Sequence, residues 1–256
     1  MSVVAVIPSI VPLFTTECLA TLSPELVDVS QIPHPDPFHQ REPVLSIING
    51  KQWTDGKPDF RLVTVWNTSE HNLGCAGSWN VGVDEALRIG ADWLWIISAG
   101  VRFGKAGGTD FLECLQMYGL QDVLGLEAGN DLGWHCIAFP RRVLERVGRF
   151  DPRFHPAFFE DNDLSYRIQL AYGIDSRSPD FRGPLWPKVE IQARLPEVAH
   201  GIIRSGVTVD FVALEKLYIA KWGNKSPGET FTHPYNDDTL DLTYTGTPPV
   251  SLTRAR

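Results

Sequence analysis

A chain of 256 residues is long enough to bury one large α/β core, and 43% hydrophobic against 21% charged residues excludes an intrinsically disordered chain. The formal net charge of −8, from 23 basic and 31 acidic residues, argues against a general nucleic-acid binder or an anionic-membrane binder, because both need a basic surface. No apolar run reaches the roughly 18–20 residues of a membrane span.

The opening stretch, Met1 to Pro12, is apolar but lacks the basic flank of a signal peptide. Val3-Val4-Ala5-Val6-Ile7 reads instead as a buried strand ended by Pro8. The cysteines Cys18, Cys75, Cys114 and Cys136 show no CxxC spacing and read as small buried hydrophobes of a reducing, cytoplasmic compartment. A short helix over 14–22 ends near Ser23-Pro24, and a Pro- and His-rich loop leads to an apolar strand over 44–48. Asn49-Gly50 makes a turn, and a third strand covers 61–66.

The clearest helix follows. Trp79, Val83, Ala86 and Leu87 recur at i, i+4, i+7 and i+8, and Gly90 caps the end. Trp93-Leu94-Trp95-Ile96-Ile97 is continuously apolar, as for a central strand covered on both faces. A helix over 111–118, strands over 122–126 and 134–139, and helices capped by Gly148 and Gly173 come next. From about Asn224 the chain is polar and proline-rich, and reads as a loosely packed tail over 224–256.

This alternation predicts an α/β fold, a single domain over 1–223 with a mostly parallel central sheet flanked by helices. Ligands bind such sheets beyond the carboxyl ends of the strands. The loops to inspect are therefore 8–12, 49–56, 67–77, 98–108 and the one around Glu160.

Two blocks carry a family resemblance. The first is Asn72-Leu73-Gly74-Cys75-Ala76-Gly77-Ser78-Trp79-Asn80-Val81-Gly82, continuing through Gly90-Ala91-Asp92 into the apolar strand. The second is Val147-Gly148-Arg149-Phe150-Asp151-Pro152-Arg153-Phe154, followed by Phe159-Glu160-Asp161-Asn162-Asp163-Leu164-Ser165-Tyr166-Arg167. Together, in this order, they resemble the inverting family 2 glycosyltransferases of the glycosyltransferase-A fold, with weaker matches at Pro8 and at Lys221-Trp222-Gly223. The resemblance spans roughly residues 3 to 223.

It implies a nucleoside diphosphate sugar donor, UDP-linked first of all, an unidentified hydroxyl acceptor, and Asp161 of the Glu160-Asp161 pair as general base. The bland reading of these acids is a helix cap that complements the dipole. Pro8, Asn72, Gly74 and Asn80 fit the nucleotide side by resemblance, and Asn49 can accept the imide N–H of uracil. A plain Asn-Gly turn explains Asn49-Gly50 equally well. Asn80 also reads as a surface residue of its helix.

The family's Asp-x-Asp cluster for Mg²⁺ or Mn²⁺ is absent: Ile97-Ser98-Ala99-Gly100 stands in its place, and hard cations want carboxylate oxygens. His200 is the one candidate metal ligand, and a lone histidine is more often structural. Basic groups close by, Arg102 and Lys105, with Arg204, His200 and Lys221, are the expected replacements for the cation at the diphosphate. The alternative is a non-catalytic module, derived from a glycosyltransferase, that binds a nucleotide-sugar or glycan.

Overall fold

Along β1 (Ser2–Ser9) the side chains of Val3, Ala5 and Ile7 pack in one buried cluster and those of Val4 and Val6 in another. Successive strand residues point to opposite faces, so a strand apolar at every position must be covered twice. The first face is covered by α1 (Pro12–Leu22), through Cys18, Leu19 and Leu22. The edge strand β2 (Val44–Asn49) and β3 (Asp59–Trp66) follow, then α2 (Gly74–Ile89), which covers the second face through Ala76, Trp79, Val83 and Ala86. Gly82 makes that approach possible, since a Cβ there would lie 2.6 Å from the Val6 Cβ.

The central strand β4 (Trp93–Ile97) divides the same way, with Trp93, Trp95 and Ile97 towards α1, and Leu94 and Ile96 towards α2. After it come β5 (Val101–Phe103), α3 (Gly107–Met117), β6 (Leu126–Glu127), β7 (Cys136–Pro140), α4 (Arg141–Val147) and α5 (Glu160–Tyr172). A short β8 (Ile191–Ala193) pairs with β5, and α6 (Phe211–Trp222) packs on α5 through Tyr218, Trp222 and Tyr166. The computed structural model describes residues 1–9, 12–22, 26–32, 44–50, 59–68, 70–104, 107–118, 123–127, 134–174, 191–193 and 207–247.

The main sheet has six strands in the order β2-β3-β1-β4-β7-β6. Its β3-β1-β4 core is parallel, whereas the β2–β3, β4–β7 and β6–β7 pairings are antiparallel. The expectation of a mostly parallel sheet is therefore corrected to a mixed one. Connection length explains much of it: only residues 50–58 separate β2 from β3, fewer than the dozen or so that a parallel crossover needs.

A second correction concerns the carboxyl-terminal segment. Thr230 and Phe231 donate their backbone N–H groups to the Trp222 carbonyl, Tyr166 donates its hydroxyl to the Phe231 carbonyl at 2.9 Å, and Tyr235 is buried. Residues 224–247 thus return to the domain and pack on it. Their polarity hid a few well-placed aromatic anchors.

Candidate functional site

The carboxyl ends of β1, β3 and β4 lie side by side, and the loops that leave them carry the candidate chemistry. Pro8 and Ser9 end β1, opposite Val65 and Trp66 of β3. The buried Ser9 hydroxyl has no hydrogen-bond partner among the described residues. Asn67 follows β3 and shapes the next turn: its amide donates to Ser78 Oγ at 3.0 Å and accepts from the Leu73 N–H at 2.9 Å. Asn72 Oδ1 then accepts from the Gly74 N–H at 2.8 Å, so α2 begins at a sharply defined point.

Gly74 has φ +69°, and a Cβ there would lie 2.8 Å from the Pro156 carbonyl oxygen. The same carbonyl accepts from the Cys75 N–H at 2.8 Å, and His155 Nε2 lies 2.7 Å from the Asn72 carbonyl. The start of α2 is thereby clamped to the loop that leads into α5. Phe158 and Phe159 in that loop have φ of 82° and 71°, both in the left-handed region that bulky residues avoid. Strain of this kind persists where the surroundings over-determine it, and functional sites collect it. Immediately after it stand Glu160 and Asp161.

Both acids have raised proton affinity. Burial, reinforced by the neighbouring Asp161 charge, pushes the Glu160 carboxyl well above the usual range, and Glu160 Oε2 has no partner among the described residues. Burial also raises Asp161, partly offset by backbone hydrogen bonds such as the Asn162 N–H donated to its Oδ1 at 2.8 Å. Cys75 belongs to the same cluster, its thiol pushed up by burial and by the two carboxylates. Two carboxyls of raised proton affinity, one with an oxygen lacking a partner among the described residues, suit proton abstraction at the carboxyl end of a parallel sheet core.

The remaining acid of this turn behaves oppositely. Asp163 is fully buried and accepts from Lys221 Nζ at 2.7 Å, Trp222 Nε1 at 2.8 Å and Arg167 Nη2 at 2.7 Å. Despite the cost of burial, these partners hold its carboxyl below the usual range. Lys221 also donates to Asp151 at 2.9 Å, and Asp151 is chelated by Arg153. The second sequence block therefore splits into an acid pair without cationic partners among the described residues, Glu160-Asp161, and an ionic network around Asp151 and Asp163.

Several predicted ligand residues are reassigned by their surroundings. Lys221 is 0% exposed between two aspartates, so it is not available to a phosphate. Arg102 is buried, its Nη1 donating to the Ala99 and Val101 carbonyls at 2.9 Å and its Nη2 paired with Glu17 of α1, which holds the guanidinium against α1. Asn80 Nδ2 donates to the Phe150 carbonyl and its Oδ1 accepts from the Phe150 N–H, both at 2.9 Å; it is a strut between α2 and the second block. Asn49 is exposed and pairs with Arg61 near the amino end of β3, about 17 Å along the strand from Trp66. Because β2 is antiparallel, Asn49 sits at the opposite end of the sheet from Asp161. Pro8, Asn72, Gly74 and Ser98 do lie at the carboxyl ends. Lys105, His200 and Arg204 lie outside the described residues.

One residue passed over in the sequence stands beside Ser98. The Ser98 N–H donates to the His135 carbonyl at 2.7 Å, and Ser98 Oγ lies 3.3 Å from His135 Nδ1. Burial lowers the proton affinity of this imidazole and favours its neutral form. Its signal in the sequence was a lone histidine in Trp134-His135-Cys136 at a strand entrance, too common a setting to single out. Among the described residues no group of three His, Cys, Asp or Glu side chains is arranged to hold a metal ion. No helix among them is long and apolar enough to cross a membrane.

No family profile matches the chain, and no curated protein matches it.

Proposed function

We propose that the chain is an inverting glycosyltransferase of the glycosyltransferase-A type, moving a sugar from a nucleoside diphosphate donor to a hydroxyl acceptor. The observation that carries this reading is the Glu160-Asp161 pair, raised in proton affinity and one oxygen short of a partner, facing the Gly74-Cys75 start of α2. The two sequence blocks add the order and spacing of family 2. In the reaction Asp161 takes the acceptor hydroxyl proton while the acceptor oxygen bonds to the anomeric carbon. The bond from that carbon to the diphosphate oxygen breaks on the opposite face, which inverts the configuration. A raised carboxyl is a stronger base than an ordinary aspartate, which favours this transfer.

The turn that reads the base in this family belongs, on this reading, after the second parallel strand. That strand is β3, so Asn67-Thr68 replaces Asn49-Gly50 in the assignment. Mg²⁺ or Mn²⁺, which the family pattern implies, does not fit the residues described at the end of β4. Ser98 Oγ and His135 Nδ1 are the paired polar side-chain groups described there, and they offer a hard cation no carboxylate oxygen.

The internal use of Arg102 and Lys221 favours a second reading, a module that binds a nucleotide-sugar or glycan without turnover. A panel of UDP-, GDP- and dTDP-sugars, scored by nucleoside diphosphate release in the presence of mixed hydroxyl acceptors, separates the two. Release supports the transferase, and calorimetric binding without release supports the module. Asp161→Asn is expected to lower the rate by about 10²–10⁴-fold while sparing donor affinity. An unchanged rate removes Asp161 from the mechanism. The wild-type rate is expected to rise with pH as Asp161 loses its proton, with the acid limb above the ordinary aspartate range because its pKa is raised. A flat profile across that range sinks the assignment of the base.

A further inference from the structure

We propose that the Ser98–His135 pair stands in for the absent metal carboxylates and receives the leaving diphosphate through hydrogen bonds. This rests on the glycosyltransferase reading above. Along the β4–β7 ladder, Ile97 lies opposite Cys136, and both are fully buried. One step further along the ladder stand Ser98 and His135, both partly exposed, so this edge opens to solvent on a polar pair. Ser98 occupies the segment where the family pattern places Asp-x-Asp.

The chemistry of the pair fits an anionic leaving group. Ser98 Oγ lies 3.3 Å from His135 Nδ1; in the assignment proposed here the imidazole carries its proton on Nε2, and Nδ1 accepts from the Ser98 hydroxyl. Nε2 has no hydrogen-bond partner among the described residues. A neutral N–H donor, oriented by its neighbour, stabilises developing negative charge without having to give up its proton. When the bond from the anomeric carbon to the diphosphate oxygen breaks, the electron pair stays on that oxygen. The acceptor proton goes to Asp161, and His135 keeps its own. Of the basic groups put forward from the sequence, the two among the described residues have internal partners: Arg102 pairs with Glu17 and two carbonyls, and Lys221 with Asp151 and Asp163.

The test takes the full chain with whichever sugar nucleotide of the panel it turns over, in excess chelator and then with added Mn²⁺. The expected result is turnover that chelator leaves unchanged. His135→Ala is expected to lower kcat by about 10²–10³-fold, with KM for the donor little altered, as for loss of one oriented donor to a developing oxyanion. His135→Gln, which keeps an N–H donor, is expected to recover part of that loss. Ser98→Ala trims one oxygen from a partly exposed position and keeps the test available if His135→Ala does not fold. It is expected to lower kcat by about tenfold, the worth of one hydrogen bond. Strict dependence on Mn²⁺, or wild-type kcat in either alanine variant, overturns the assignment and leaves the glycosyltransferase reading standing. No release from any donor, together with no calorimetric binding of UDP or GDP, overturns that reading and this assignment with it.

Discussion

Within the first turn of α5, Asp163 is held charged by Lys221, Arg167 and Trp222, whereas Glu160, three residues earlier, is pushed towards its neutral form and keeps an oxygen without a partner among the described residues. Both are buried, so burial alone does not separate them. The partners do. A carboxylate surrounded by cations and N–H donors repays its desolvation, and one left with backbone groups and another acid does not. The same residue chemistry thus gives, on one helical turn, an ion-paired anchor and a carboxyl of raised proton affinity. The anchor joins α5, α6 and the second sequence block, and so fixes the position of Glu160-Asp161.

Breaking the anchor should have the largest effect on stability. Asp163→Asn leaves Lys221 and Arg167 buried with a neutral amide, and unpairing a buried charge costs about 3–5 kcal/mol. Urea denaturation should show a correspondingly lower midpoint. A midpoint within experimental error of wild type means that Asp151 and water meet the cations without help. Trp222→Phe is a gentler cut: it deletes the 2.8 Å hydrogen bond to Asp163 and keeps most of the ring packing. A hydrogen bond to a charged group is worth about 1.5–3 kcal/mol, so this loss should be the smaller of the two. If Trp222→Phe proves as costly as Asp163→Asn, ring packing and not the anchor dominates this corner.

How much of this was legible beforehand follows from the range of each interaction. β1, β4 and α2 were readable because burial on one or two faces writes itself into local apolar periodicity. The direction of β2 was not, because an apolar run has the same pattern whichever way it runs. That error carried Asn49 to the wrong end of the sheet. Lys221 was misread as a phosphate ligand because its partner Asp151 lies 70 positions earlier, and no local signal marks such a pair. Arg102 was misread likewise, since Glu17 is 85 positions away. The motif singled out Glu160-Asp161, but the difference between these acids and the ion-paired Asp163 needed the fold.

The smallest expected effect is also the one that isolates the reactive side of the comparison. Glu160→Gln removes a carboxyl whose folded pKa is raised by burial and by Asp161. Below the ordinary carboxylate range, about pH 4.3, Glu160 is protonated in both folded and unfolded chains, and its full stability contribution is present. As pH rises towards the raised folded value, the unfolded chain releases the proton first, and that contribution is lost. The glutamine variant has no such loss. Its Tm should therefore match wild type in acid and exceed it at neutral pH. Asp163 works with the opposite sign: its pKa is lowered, so its contribution is present above the ordinary range and lost as pH falls through the folded value. A Tm difference between Glu160→Gln and wild type that stays flat with pH would place Glu160 in a solvated setting, and the contrast within α5 would reduce to the anchor alone.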